Sequence, residues 1–600
     1  MVFGGNYVSL NSPEGKPWYF VFRQYALLSA LLVNSLVFFG LCYSLYEVRH
    51  DGKNSAKNLP AYKSLSIDTF ESELQPIDFL NASAVFAEVH NALKQKNADV
   101  NPISVSYIPA YIPEGTLLYH SNHNGKVPTT YEWVAMDYEF SYNFAHFDRG
   151  KPNNGFPGSP GASPKPPKAS DDGFKKPHGH PHMDFSGPST LLTFQVTKPL
   201  DKLILLGGAS ASKTTTGEMD TQYILSQIEN YDDFDERIGS DKICEWGRKH
   251  GGLDGLVRLE IGFEIVICDF SEKLELVSNV TLRNVTDMID FPREVFTDEP
   301  SDDLNAQRSG VLDTIESVVG FEHYQAGGRV YDGDKRVLMD FSKMVTPLNK
   351  TFIDADPYLR RIDNLTADLK SEIIDEVAEM LATPNDPYSS TNWQLITDNI
   401  VDKFAPLLVN LNSSFALYDA HKSYQTLGTN LTSWSYNYIR RYLSDPETEL
   451  VPHLRKMAIW DYAHPLEQIQ SEADFLIWNS VTVVQSAIVD AIYECFLLSK
   501  TLLSVLTEKS LPDDIEEQIA STRNRLATLL AELNWAYYYQ CSQKCKSDEL
   551  CFIPTWGPAP LSWSKRDMIG FYIDESGKKR ISKELQCINY NTLLEAGRGW

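Results

Sequence analysis

An uncharged apolar stretch near the N-terminus constrains this chain more than any other feature. It runs from Tyr25 to Leu45 and reads YALLSALLVNSLVFFGLCYSL. Because a helix rises about 1.5 Å per residue, about 20 apolar residues are enough to cross a bilayer core of roughly 30 Å. Tyrosines stand near both ends of the stretch, where aromatic rings prefer the membrane interface. The stretch therefore predicts a transmembrane anchor over residues 24–46, preceded by a short tail over residues 1–23.

A cleaved signal peptide and a buried core helix are the competing interpretations of this stretch. A signal peptide has an apolar region of about 7–15 residues followed by a small-x-small cleavage site. Here the apolar run is longer and no such site follows it cleanly. A core helix would carry a polar face, which the stretch lacks. The anchor is therefore the interpretation that the sequence favours.

The cysteines and the glycosylation sequons predict how this anchor is oriented. Positive charges such as Arg23 and Arg49 flank it on both sides, so they do not decide the orientation. Seven of the eight cysteines follow the anchor, and disulfides and N-glycans belong to the secretory lumen or cell exterior. All N-x-S/T sequons also follow it, at Asn81, Asn279, Asn284, Asn349, Asn364, Asn412 and Asn430. We expect a type II protein of the ER, Golgi, vacuole or plasma membrane, with a cytosolic tail and a lumenal or extracellular body.

The overall charge limits the partners of that body. The formal net charge is −26 at pH 7, which argues against nucleic acid or anionic lipid as the main partner. Hydrophobic residues make up 42% of the chain and aromatic residues 12%, enough for the cores of two to four domains. We expect a membrane contact through the one anchor, a protein or glycan partner, and no nucleic acid.

Apolar patterning after the anchor predicts an α+β fold followed by helices. Residues 47–98 combine a polar stem with one helix of apolar residues at helical spacing. Residues 99–292 alternate apolar and polar residues as strands do, most clearly over residues 255–268, and predict a mixed α+β domain. Residues 293–540 return to helical spacing and predict a helical domain.

The apolar segment Ala473–Leu506 in the predicted helical domain is long enough to raise the possibility of a second membrane span. Asp490, Glu494 and Lys500 interrupt it, and charges inside lipid are unfavourable. We therefore interpret it as a buried helix of a bundle.

A low-complexity insertion over residues 150–187 interrupts the α+β domain. Proline, glycine, serine and lysine dominate it, so it predicts a disordered loop. It contains His178, His180 and His182, and three imidazoles so close together are able to hold a metal ion. A flexible polar loop with incidental histidines is the favoured interpretation, and we predict no metal site.

The last part of the chain, residues 541–600, predicts a small cysteine-rich cap. Its cysteines are Cys541, Cys545, Cys551 and Cys587. The spacing does not match the usual zinc sites, so we expect two disulfides whose connectivity the sequence leaves open. Cys244 and Cys268, both in the α+β domain, are candidates for a third.

Several segments resemble a family of large, single-pass fungal membrane proteins that remain uncharacterised. They are Pro109–His120, Glu132–Ser141, Leu206–Thr214, Glu245–Gly247, Gly252–Glu264 and Cys551–Gly557. The resemblance spans most of the chain after the anchor. It implies a fungal source and a type II topology, and it implies no chemistry.

The α+β region also shows a distant similarity to ADP-ribosyltransferases. The order is His120 on an early strand, then Tyr138 or Tyr142, then Glu264 on a late strand, although Ser121 replaces the family's glycine. The similarity implies that the histidine bonds a ribose of NAD and a tyrosine stacks on the nicotinamide. The glutamate would stabilise the oxocarbenium-like charge. The alternative is structural: His120 ends a strand, and Glu264 lies on the solvated face of an amphipathic strand.

The segment Gly207–Thr214 resembles a phosphate-binding loop that follows a strand. Ser212 stands where such a loop needs a glycine before the lysine, here Lys213. A turn in which Ser and Thr bond their own backbone is the alternative. The sequence thus leaves open whether the protein is an enzyme. It favours a binding or structural ectodomain, with an NAD-binding enzyme and a degenerate nucleotide binder as alternatives.

Overall fold

The computed structural model describes most of the chain beyond residue 64. The described residues are 65–103, 105–142, 188–208, 219–229, 234–259, 264–283, 333–356, 359–443, 452–465, 469–507, 509–554, 570–577 and 579–589. The predicted anchor, the insertion with its three histidines, Lys213 and the sequon at Asn284 lie outside them.

A nine-stranded mixed sheet forms the centre of the α+β part. Its strands β1 to β9 are Tyr107–Ile112, Leu117–Asn122, Glu132–Ala135, Thr190–Val196, Leu200–Leu206, Gly255–Arg258, Glu264–Ile267, Leu274–Thr281 and Leu338–Met339. They lie in the order β8-β4-β2-β3-β7-β6-β5-β1-β9. Neighbours are antiparallel except β5 and β6, which are parallel. The structure confirms the predicted α+β class.

Twelve α-helices are described. Helices α1 to α12 are Phe70–Glu73, Phe79–Asn91, Gln95–Val100, Tyr138–Tyr142, Asp220–Ser226, Glu236–Lys249, Ala367–Leu381, Trp393–His421, Tyr424–Ile439, Pro452–Ala463, Glu472–Leu503 and Ile515–Leu533. Of the predicted helical domain, residues 293–540, helices α8 to α12 form a bundle, whereas β9 and α7 belong with the sheet. Short 3-10 helices lie at Phe341–Lys343, Pro347–Asn349, Arg440–Tyr442, Ser504–Thr507 and Ala536–Tyr538.

The segment 255–268 forms two strands, β6 and β7, rather than one. They pair antiparallel, with Arg258 opposite Glu264, and every residue of both strands is buried. Strands covered on both faces have no solvated side. The expectation that Glu264 lies on a solvated strand face is therefore wrong. Gly255 permits the close pairing, because a side chain there would collide with the carbonyl of Val266.

Helices α5 and α6 connect the parallel strands β5 and β6. Parallel neighbours need such a crossover, because a tight turn only joins antiparallel strands. Asp235 caps α6 by accepting from the backbone N–H of Arg237 at 2.9 Å. The Cys244–Cys268 disulfide ties α6 to the end of β7 and confirms that predicted pair. Side chains of α6 and α7 pack together on one face of the sheet.

Helix α2 lies at the centre of the described body. Eleven of its thirteen residues are buried. It contacts α8, α11 and α12 of the bundle, and its residue Glu88 lies against Gly207 at the end of β5. This helix, which we predicted to pack on the main domain, is thus packed between the sheet and the bundle.

Helix α11 is the main core helix of the bundle. Large side chains along it are almost fully buried, among them Trp478, Val481, Ile488 and Ile492. Extended to Thr507, it is the one helix of the described residues that by length and composition alone could cross a membrane. Its contacts with α2, α9, α10 and α12 are those of a bundle helix, as interpreted from its charges.

The cysteine-rich cap follows the bundle. Strands β10 (Gln540–Cys541), β11 (Glu549–Phe552) and β14 (Glu584–Asn589) form a small sheet, and β12 (Phe571–Ile573) pairs with β13 (Lys579–Ile581). The two predicted disulfides are confirmed, and their connectivity is Cys541–Cys551 and Cys545–Cys587. Apolar side chains of the cap pack against Val100, Ala135 and Phe140, so the cap is joined to the sheet.

Candidate functional site

The structure places two of the three predicted catalytic residues on strands near the middle of the sheet. His120 lies in β2 and Glu264 begins β7. Strand β3 separates them, and its Ala135 pairs with Tyr119 on one side and with Glu264 on the other. The two residues, which are far apart in the sequence, therefore lie on strands with a single strand between them.

Glu264 is engaged in a buried ion pair with Arg258. The same guanidinium also contacts Glu236 of α6 and donates to Gln222 of α5 at 3.3 Å. Burial raises the pKa of Glu264, and Arg258 opposes that effect. A buried carboxylate is stabilised by such a partner and strongly destabilised without one. Glu264 thus has a structural role that a bound ribose would have to displace.

His120 is also held by the fold. Its Nδ1 lies 2.7 Å from the carbonyl oxygen of Trp133, so that nitrogen must carry the proton and donate. Burial lowers the pKa of His120, which keeps the ring neutral at physiological pH. Its Nε2 is then free of a proton and acts as a hydrogen-bond acceptor.

Tyr138 lies at the surface, apart from the enclosed glutamate. Its side chain is 43% exposed and packs edge-on against Tyr119, with ring centroids 5.7 Å apart. Tyr142, the other candidate, lies 5.7 Å from Tyr138 by the same measure. An exposed tyrosine and a buried, ion-paired glutamate do not present a common face to a nucleotide.

Packing explains the first glycine of the segment that resembles a phosphate-binding loop. A Cβ on Gly207 would lie 2.5 Å from Oε1 of Glu88 and 3.0 Å from the backbone nitrogen of Ser106, so the tight packing at the end of β5 favours glycine there. Helix α5, which follows the loop, begins with Asp220, whose carboxylate accepts two hydrogen bonds of 2.8 Å from Arg361. An acidic side chain at this helix start disfavours a phosphate.

The grouping of cysteines in the cap is not a metal site. The sulfurs of Cys541, Cys545 and Cys551 lie within 4.8 Å of one another. All three are in disulfides, and the thiolate is the form that binds metal. The only free cysteine among the described residues is Cys495, which is buried in α11.

Glu88 is a buried acid that the sequence did not single out. It is 4% exposed, and its Oε2 has no hydrogen-bond partner in the described part of the chain. Together with Asn91, Asn101 and Gly207 it lines a cavity of about 10 Å³, room for about one water. Burial raises the pKa of Glu88 to about 8. Within α2 it resembles any helical glutamate, so only the tertiary structure reveals it.

Two more buried polar atoms lie beside this acid. Oδ1 of Asn101 and Oγ of Ser106 have no hydrogen-bond partner within the described ranges. The backbone of Ser106 adjoins Gly207, whose N–H donates to its carbonyl at 2.8 Å. A water that bridged such groups would satisfy them. Chemically, this enclosed arrangement can hold a proton or a water.

A second polar cluster links α2 to α8. Nδ1 of His90 lies 2.8 Å from Oδ1 of Asp398, and Lys94 bonds the same oxygen. His90 and Lys94 are both buried. Burial lowers the pKa of each, and Asp398 opposes the effect. The carboxylate therefore stabilises two buried basic groups at the junction between sheet domain and bundle.

Comparisons with known proteins give matches over most of the chain. The family model described as the YPL277C N-terminal domain matches residues 64–386, and the YPL277C C-terminal domain matches residues 392–509. The uncharacterized protein YOR389W of Saccharomyces cerevisiae is 31% identical over 93% of this chain and 97% of its own length. The uncharacterized protein YPL277C of the same organism is 31% identical over 65% of this chain and 87% of its own length.

These matches carry no catalytic assignment. No solved structure matches the chain. Neither the family models nor the similar proteins give evidence for similarity to ADP-ribosyltransferases.

Proposed function

We propose that this chain, which belongs to the YPL277C family of yeast proteins, is a type II membrane glycoprotein of the secretory pathway. Its anchor is the apolar stretch Tyr25–Leu45. Its body faces the lumen or the cell exterior. That body acts as a binding or structural ectodomain toward a protein or glycan.

The single observation that carries this proposal is the set of three disulfides. Six of the seven cysteines that follow the stretch are paired. Cytosolic thiols are kept reduced, whereas lumenal and secreted proteins form disulfides. A body with one such bond in its α+β part and two in its cap is suited to the secretory lumen.

The sequons offer further support, with one exception. Asn279, Asn349 and Asn364 are exposed, and Asn412 and Asn430 are half-buried on helices. Asn81 is buried, and its Nδ2 donates to the carbonyls of Leu348 and Thr351 at 3.1 and 3.0 Å. A glycan on that nitrogen would have to displace these contacts, so Asn81 supports the proposal less than the exposed sequons do.

A binding role is preferred to catalysis because the catalytic candidates have structural partners. Glu264 pairs with Arg258, His120 bonds a backbone carbonyl, and Tyr138 lies at the surface. The NAD-enzyme alternative therefore gains no support from the geometry. The nucleotide-loop alternative gains none either, since packing against Glu88 accounts for Gly207.

The test is the gel mobility of the full-length protein from a yeast host, with and without N-glycosidase, and reduced or non-reduced. We expect a loss of apparent mass on deglycosylation and a mobility shift on reduction. The matched control is the triple variant Asn349→Gln, Asn364→Gln and Asn279→Gln, which should lose most of the glycosidase effect. No change under either treatment would place the body in the cytosol and overturn the proposal.

A further inference from the structure

The large sheet ends in two very different edge strands. At one edge, β9 has two residues, and both are half-buried. At the other, β8 has eight residues, and six of these are exposed. No further strand pairs with β8 among the described residues. A long edge strand presents unpaired backbone groups to which another chain can add.

Strand β8 has few of the features that usually prevent such addition. Its sequence, LELVSNVT, contains one charge and neither lysine nor proline. Leu276, Val277 and Val280 are 36%, 47% and 50% exposed. One register irregularity, near Val277, is the only bulge in its pairing with β4. Such a long apolar strand of low charge is prone to edge-to-edge association.

A sequon lies on this same strand. Asn279-Val280-Thr281 is the N-x-T pattern, and Asn279 and Thr281 are both exposed. Nδ2 of Asn279 donates to the carbonyl of Gly125, in the turn that follows β2, at 2.8 Å, so the nitrogen that would carry a glycan lies at the protein surface.

We propose that Asn279 carries an N-glycan whose role is to cover the β8 edge and prevent pairing between copies of this chain. An added strand would have to lie about 4.8 Å from β8. A bulky, hydrated glycan on this outermost strand occupies that space. The inference rests on the proposed function, because only a lumenal or extracellular body meets the glycosylation machinery.

The first experiment is mass spectrometry of glycopeptides from the full-length protein made in yeast. We expect Asn279 to be occupied, along with the exposed Asn349 and Asn364. If Asn349 and Asn364 are occupied and Asn279 is bare, this inference is overturned while the proposed function stands. If none of the seven sequons is occupied and reduction also leaves the gel mobility unchanged, both are overturned.

The second experiment measures self-association of the purified full-length protein in detergent by light scattering. Asn279→Gln and Thr281→Ala both remove the sequon, and the second keeps the asparagine bonded to Gly125. Each should strengthen self-association by about tenfold or more. Asn364→Gln, which removes an exposed glycan elsewhere, is the matched control and should leave it unchanged.

Adding Val277→Lys to the Asn279→Gln variant separates edge pairing from a folding defect. A lysine on an edge strand opposes addition of another strand, so the double variant should return to the self-association of the wild-type protein. Equal self-association of Asn279→Gln and wild type would overturn the role given to the glycan. So would strong association of the double variant.

Discussion

The substitution Glu88→Gln probes the buried acid between α2 and the end of β5. Burial raises the pKa of Glu88 from 4.5 to about 8. Between these values the folded protein keeps the proton and the unfolded chain has lost it. Because the folded state then binds more protons, the free energy of unfolding falls as the pH rises through this range.

The size of this effect follows from the width of the range. Well below pH 4.5 the carboxyl is protonated in both the folded and the unfolded state, so the protein has its full free energy of unfolding there. Each pH unit above that removes about 1.4 kcal/mol, until the folded group ionises near pH 8. The loss is thus about 3 kcal/mol at pH 7 and about 5 kcal/mol at pH 8. Glutamine has nearly the same shape and cannot ionise, so the variant should lack this pH dependence.

The assay is the urea unfolding midpoint of the full-length protein and of Glu88→Gln from pH 5 to pH 8. We expect the two midpoints to diverge as the pH rises, with the variant the more stable at pH 8. Glu517→Gln, at an exposed position in α12, is the control and should follow the wild-type profile. Parallel profiles for Glu88→Gln and wild type would refute the assignment of a protonated Glu88.

Three further outcomes test other parts of the structure. Asp398→Ala should destabilise the protein by about 3–5 kcal/mol, because His90 and Lys94 remain buried without their acid; an unchanged melting temperature would contradict this. The Cys244→Ser, Cys268→Ser double variant should lose about 2–4 kcal/mol of unfolding free energy, measured by denaturant unfolding, and an unchanged unfolding midpoint would count against the pairing. Millimolar NAD should leave the melting temperature unchanged, because Glu264 is already ion-paired; a rise that depends on NAD concentration would restore the enzyme alternative.

Features set by short-range pattern were predictable from the sequence. The alternation in β4, where Leu192, Phe194 and Val196 are buried and their neighbours half-buried, has the period of two that identifies a strand. The pairing of Cys244 with Cys268 was also within reach, because few cysteines occur in that part of the chain.

Features set by long-range contacts were not predictable. The burial of β6 and β7, which turns an apparently solvated face into a buried one, depends on the flanking strands β3 and β5 and on the contacts of Arg258 with α5 and α6. The pKa of Glu88 depends on its burial against Gly207, more than a hundred residues away. Local periodicity contains no information about either contact.

The central position of α2 has a consequence for how the chain is made. Synthesis proceeds from the N-terminus, so α2 emerges long before its partners α8, α11 and α12. Until Ile515–Leu533 has been made, the apolar residues of α2 lack part of their packing surface. Contacts between such distant segments form slowly, and exposed apolar surface favours aggregation in the interval. The body should therefore need chaperone protection until synthesis is almost complete, and a fragment that begins after Asn91 should not fold.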